Sequence, residues 1–294
     1  MAWPIGLLIW ANGRLQHVEA LSGRSTTDGT TFLLAGSDSR DDGEIPDGTT
    51  GQRTDSILIL HRAPNGQTSL ISLPRDTYVA ITGHGHHKLN AAYAIGGAPL
   101  LVDTVENLTG LTVDHYVEVG MGGVRQIADA VGGVHLCLDY DVNDPKSELV
   151  WTAGCHDVDG ATALAFSRMR YQDPRGDMGR QERQRQVIGA IVKKTARPSF
   201  FLNPVAQSSA VRSGISALRV DEEASIVTLG RLAWYFKAAT ASSGITGHPP
   251  ISNYAYRPGG IGAAVLLDET RAPEFFTKLQ AGTLTPADVA EPGR

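Results

Sequence analysis

Six arginines and three acidic residues lie between Arg168 and Arg185, and Pro174, Gly176 and Gly179 interrupt them. An ordinary solvated helix face has no use for such interruptions. Guanidinium groups gathered in one place need an anion to hold them there. Phosphate suits them, because arginine's planar fork donates two parallel hydrogen bonds. The plainer alternative is a set of unrelated surface salt bridges. Asp173-Pro174-Arg175-Gly176-Asp177 has the composition of a tight turn. Asp177 then serves as the N-cap of a helix running to about residue 195. On that helix Arg180, Gln184, Val187 and Ile191 recur at i, i+4, i+7 and i+11, so they share a face. Burying the apolar end of the face pins Arg180 and Gln184 at the mouth of whatever lies beside it. Arg168 and Arg170 are two apart and project to one side if their segment is extended.

A second constellation is made of aspartates. Asp38, Asp55 and Asp76 each adjoin an apolar run, and Arg40, Arg53 and Arg75 stand within two positions of them. Plain ion pairs are one reading. The other is magnesium, which favours one or two carboxylates together with substrate phosphate oxygens. His84, His86 and His87 sit in a glycine-containing stretch that reads as a flexible loop, without the fourth ligand of a zinc motif. Lys88 and Asn90 follow and are candidates to face the same pocket. Cys137 and Cys155 bracket a polar loop. A disulfide there would contribute up to about 3 kcal/mol and imply an oxidising compartment. Two buried free thiols are the other reading.

These residues need elements to position them. Residues 31–36 and 56–62 read as strands, and Asn65-Gly66 turns the chain back into a third at 68–73. Pro99 opens a helix that Gly110 ends. A strand at 113–119, a helix at 121–131 and a strand at 134–138 follow. Asp221 is placed to cap a helix to residue 239. Strands at 251–256 and 263–267 and a helix at 273–280 complete the pattern. Helices alternating with apolar strands predict an α/β fold, a mixed central sheet flanked by helices in three α-β-α layers. Hydrophobic residues at 41% against 19% charged exclude a disordered chain, and a net charge of -5 excludes a nucleic-acid-binding polyelectrolyte. The apolar run from Ala2 to Ala11 is half the roughly 20 residues a spanning helix needs. It reads either as the outer half of a membrane anchor or as a short amphipathic helix packed on the domain. The oxidising compartment that paired cysteines would imply favours the first, so residues 1–30 are read as the remnant of an N-terminal membrane anchor and its linker. A single catalytic domain is expected over 31–282, and a loose tail over 283–294.

GSDSR (36–40), RTDSILIL (53–60), LPRD (73–76), KLNAAYAIGG (88–97) and RMRYQDPRGDMGRQERQRQVI (168–188) occur in this order. Together they resemble the LytR-CpsA-Psr family. The resemblance implies a membrane-anchored, extracytoplasmic phosphotransferase at the cell membrane. Such an enzyme moves a glycopolymer from a polyprenyl-pyrophosphate carrier to peptidoglycan, usually with magnesium. It assigns Asp38 and Asp55 to the metal, and Arg53, Arg75, Arg168, Arg170 and Arg180 to the pyrophosphate. Gln184 becomes a polar neighbour of that site and Asp177 an acidic residue of it. The paired cysteines and the N-terminal Trp10-Ala11-Asn12 resemble the actinobacterial branch, whose cargo would be arabinogalactan or another wall polysaccharide. A pyrophosphatase or lipid phosphatase using water as acceptor is a competing reading. A non-catalytic regulator is another, although no helix-turn-helix signature supports a nucleic-acid partner.

Overall fold

Strands that are apolar on both faces need cover on both sides, and this dictates the central layer. The structure is a computed structural model that describes residues 2–37, 54–169, 172–174, 176–195 and 204–289. It opens with an apolar helix, α1 (Ala2–Asn12), and a short strand, β1 (Gln16–Val18). β2 (Thr30–Ser37), β3 (Thr54–Arg62) and β4 (Thr68–Leu73) then form an antiparallel meander in which Leu33 pairs with Ile59 and Ile59 with Ile71. A hairpin of β5 (Tyr78–Ile81) and β6 (Gly85–Lys88) leads into α2 (Leu89–Thr109), β7 (His115–Gly120) and α3 (Met121–Ala130). β8 (Val134–Leu138), β9 (Val142–Asp144), β10 (Leu149–Trp151) and β11 (Gly154–Val158) make two short ribbons. The helices α4 (Gly160–Arg168), α5 (Gly176–Thr195) and α6 (Pro204–Ala217) come next. β12 (Leu218–Asp221), α7 (Ile226–Ala239), β13 (Ile245–Gly247), β14 (Ile251–Tyr256), β15 (Ala264–Leu267) and α8 (Arg271–Ala281) finish the chain.

The main sheet runs β1-β12-β7-β2-β3-β4-β13, and β13 joins β4 in parallel, so the sheet is mixed. One face carries Leu33, Ala35, Ile57, Ile59, Ile71 and Leu73, packed in one core with Leu101, Val102 and Val105 of α2 and Phe275, Phe276 and Leu279 of α8. On the opposite face Phe32 meets Tyr235 of α7 edge-on at 6.0 Å between ring centroids. Alternate residues of each strand thus enter different cores, as the sequence predicts for a three-layer fold.

The contacts gather into two compact units. One comprises Met1–Gln16 and Val119–Leu218, the other His17–Glu118 and Arg219–Arg294. The second carries nearly all of the main sheet. The first has its own core, in which Val134, Leu136, Leu149, Trp151, Phe166 and Val187 are buried together.

Four expectations are corrected. α2 begins ten residues before Pro99, because the helix bends at Gly96 and Gly97 instead of starting after them; Gly97 takes φ 66°. Gly110 does end it, with its N–H on the Glu106 carbonyl. Asp221 caps nothing. Ser225 starts α7 through a capping box with Thr228, which satisfies two orphan donors at once. Asp221 is instead buried in β12, accepting from the Tyr116 N–H at 3.0 Å. The histidine stretch is a hairpin rather than a loose loop, and Tyr78 stacks on His86 at 5.1 Å. The expected loose tail is packed as far as residue 289, with Leu284 2% exposed. Asp288 accepts from the Thr285 hydroxyl, the Thr285 N–H and Lys278, and these bonds, the hydroxyl first, lower its carboxyl pKa to about 2.

Candidate active site

The arginine stretch is held by a clamp. Asp159 caps α4 by accepting the Thr162 N–H at 2.8 Å, and Ala163 and Phe166 bury one side of the helix. Arg168 is therefore the last residue of a helix, not part of an extended segment. Spacing of two implies a shared side only in a strand, and here the cap and the apolar face select helix. Beyond the turn, α5 offers its buried face as predicted, with Arg180 6% and Val187 1% exposed and Gln184 half-buried. Arg183 reaches back from this face. Its Nη1 pairs with Asp173, its Nη2 donates to the Met169 carbonyl and its Nε donates to the Phe166 carbonyl at 3.0 Å. One guanidinium thus joins the end of α4, the turn and α5. A side chain at Gly179 would collide with the Asp173 carboxylate, so the turn lies directly on the helix. The first turns of α5 present the positive end of a helix dipole, a setting that favours anions. Arg170 lies outside the described residues, and so does the side chain of Asp177, whose backbone is in the first turn of α5.

The sheet positions the second constellation. Ser37 pairs with Thr54 after Gly36 pairs with Ser56, so Asp55 is the extra residue of a bulge. Bulges re-aim a side chain and terminate pairing, often beside active sites. Asp38, Arg53 and the Asp55 side chain lie outside the described residues. Arg75 occupies the turn after β4, in which Thr77 donates its N–H and hydroxyl to the Pro74 carbonyl. Its own carbonyl accepts the Asn90 N–H at 3.0 Å, which ties the turn to the start of α2. Asp76 stands 2.9 Å from Lys88 and 3.5 Å from Arg75. Lys88 therefore faces the aspartate, and two cations flank Asp76.

Cys137 and Cys155 are joined in a disulfide. The segment between them is not a plain polar loop: β9 and β10 pair within it and bury Leu149 and Trp151. Gln186 of α5 bonds both backbone groups of Cys137, accepting its N–H at 3.3 Å and donating to its carbonyl at 3.1 Å. Sequence reasoning missed Arg183. The signal was available: it falls three after Arg180 and four before Val187, on the same buried face, where a charge needs a partner. It also missed a buried carboxylate in the other unit. Glu118 accepts from Tyr93 at 2.9 Å and Tyr116 at 3.0 Å, with Arg219 3.8 Å away. Burial, with Glu118 second, pushes the Tyr116 phenol pKa well up.

Residues 10–215 match the LytR_cpsA_psr family, a span that contains every residue of both constellations. The chain belongs to this family. It is 36% identical over 282 residues to the probable cell wall biosynthesis protein LcpB of Corynebacterium glutamicum, covering 92% of this chain and 66% of that protein. It is 42% identical to the polyisoprenyl-teichoic acid–peptidoglycan teichoic acid transferase TagU of Enterococcus faecalis, over 63% of this chain and 59% of that one. The chain thus spans about three fifths to two thirds of the length of these curated relatives. Among solved structures, TagV of Bacillus subtilis superposes with a TM-score of 0.69 at 25% identity, over 88% of this chain and 98% of that one.

Proposed function

We propose that this protein transfers a glycopolymer from a polyprenyl-pyrophosphate carrier to peptidoglycan at the extracytoplasmic face of the cell membrane. The observation that carries the reading is Arg180, a buried arginine near the start of α5, in a family with named glycopolymer transferases. Arg75, Arg168 and Arg180, with Arg53 and Arg170, hold the pyrophosphate oxygens, and Gln184 adds a hydrogen bond. A peptidoglycan hydroxyl attacks the phosphorus that bears the polymer. The bond from that phosphorus to the bridging oxygen breaks, and polyprenyl phosphate leaves. The hydroxyl proton passes to a carboxylate, for which Asp55, Asp76 and Asp177 are the candidates. Positioning and positive charge provide most of what phosphoryl transfer needs.

Magnesium fits this donor set. Two carboxylates shared with phosphate oxygens match a hard cation, and the pairing of Ser37 with Thr54 supports a joint site for Asp38 and Asp55. When bound, the ion would neutralise phosphate charge. On the resemblance to the actinobacterial branch, the cargo is arabinogalactan or a similar wall polysaccharide. Among the described residues no helix is long and apolar enough to cross a membrane. α1 nevertheless exposes Leu8 and Ile9, and we infer that this end of the chain meets the lipid.

The test supplies the purified protein with a polyprenyl-pyrophosphate-linked polysaccharide and peptidoglycan. Polymer bound covalently to the wall and released polyprenyl phosphate are both followed by mass spectrometry. The expected result is their appearance in equal amounts, with both lost in Arg75→Ala. Polyprenyl phosphate with free polymer phosphate alone would make the protein a hydrolase. No consumption of the carrier would leave a binding protein.

A further inference from the structure

One face of the β8–β11 ribbon gathers metal-ligating side chains well apart in sequence from the arginine stretch. The antiparallel register sets Cys137 opposite Cys155 and His135 opposite Asp157. Residues two apart on a strand share a face, so these four lie together. Val134 and Leu136, on the other face, are fully buried. One nitrogen of the His135 imidazole and the two cysteine sulfurs lie within 4.8 Å of one another. Asp157 stands 3.1 Å from His135 Nδ1, and the two side chains are 84% and 55% exposed.

We propose that this face is a redox-gated metal site, in which Cys137, Cys155 and His135 bind one zinc-class divalent cation after the disulfide is reduced. The step balances with a dithiol reductant. Its two thiols supply two electrons and two protons, the S–S bond breaks, two cysteine thiols form, and the reductant leaves as its own disulfide. The cation then displaces both thiol protons and binds two thiolates and a neutral imidazole. Two cysteines and one histidine are a ligand set that zinc accepts, with the fourth position left to water. At zinc–ligand distances of about 2.0–2.3 Å, tetrahedral ligands stand less than 4 Å apart, within reach of this cluster after small side-chain rotations. Asp157 fixes the imidazole ring, as a carboxylate behind a ligating histidine does.

Two features favour this over a purely structural cross-link. Cys155 is exposed, and exposed disulfides are the ones open to exchange. The cross-link also has no need of a histidine and a carboxylate beside it. Opening it leaves the ligands in register, because the strands pair from Val134–Val158 to Leu138–Gly154 and Gln186 still holds the Cys137 backbone.

Cobalt(II) is the probe. The full chain is reduced with a phosphine, which contributes no competing thiol, then desalted without oxygen and titrated. The expected result is one cobalt per chain with tetrahedral visible bands and a thiolate charge-transfer band, both bleached by zinc. The oxidised chain should show neither. Asp157→Asn should weaken binding about tenfold, and His135→Ala, which keeps both cysteines, should weaken it more. Circular dichroism on the same samples reports folding. A weak six-coordinate spectrum, equal affinity in His135→Ala, or a reduced chain that unfolds before cobalt binds would each overturn the proposal.

Discussion

Replacing Arg183 with methionine removes the guanidinium of the clamp and keeps much of the stem that packs around it. The pair is dry: the side chains of Arg183 and Asp173 are 4% and 0% exposed. Removing one partner of a buried pair costs about 3–5 kcal/mol, because the other charge stays behind in a poor solvent. The Phe166 and Met169 carbonyls lose their donors in the same change. An unsatisfied buried acceptor costs on the order of 1 kcal/mol or more, but the carbonyls and the ion pair share one guanidinium, so the terms overlap. A loss of about 4 kcal/mol is the central expectation. At roughly 2–4 °C per kcal/mol, the melting midpoint should fall by about 8–16 °C. Urea unfolding followed by circular dichroism would measure it for Arg183→Met, Asp173→Asn and the double variant. The double variant should be little worse than the weaker single one, with a coupling energy well above ~0.5 kcal/mol. Arg183→Lys should fall between, since it restores the charge and not the fork. An Arg183→Met variant within about 1 kcal/mol of the parent would refute the clamp.

Three further outcomes are expected. Glu118→Gln leaves both tyrosine hydroxyls without an anionic acceptor; it should cost about 1–3 kcal/mol, and an unchanged urea midpoint would rule out the network as a stabilising feature. Burial lowers the His61 pKa below its ordinary 6.5, so the native state keeps it neutral while the unfolded chain takes up a proton. Stability from this group is complete above about pH 6.5 and declines as the pH falls below it. His61→Gln should flatten that part of the stability–pH curve, and an equally steep curve would exclude His61 as its cause. Finally, prenyl pyrophosphate should bind more tightly with magnesium than with chelator, and by linkage the lipid should raise affinity for the ion. Asp38→Asn and Asp55→Asn should each reduce that coupling in calorimetry. Equal lipid affinity in every titration would leave the arginines to hold the phosphates alone.

What was legible in the sequence follows from how local the deciding interaction is. The α5 face of Arg180, Gln184 and Val187 was readable because helical period and turn composition act within a few residues. The same holds for the β3–β4 hairpin and for Gly110 at the end of α2. Asp221 was the expected cap of α7, but Ser225, one turn on, caps it, and a distant partner explains why: Asp221 is taken by the Tyr116 backbone. The ribbon shows the same limit. Cysteine spacing suggests a bridge, but only the strand register reveals that His135 and Asp157 share its face.

The arginine stretch itself holds the hardest ambiguity. An arginine that binds a phosphate and an arginine that closes a fold have the same letter, and both prefer buried, anion-facing positions. Arg180 and Arg183 are three residues apart on one helix face, so neither composition nor period separates them. For Arg183 the structure supplies the role. Arg183 meets an internal carboxylate and two internal carbonyls, which use its fork within the protein. Their roles therefore become separable by experiment: the loss at Arg183 should appear first in unfolding, and the loss at Arg180 in the affinity for a pyrophosphate.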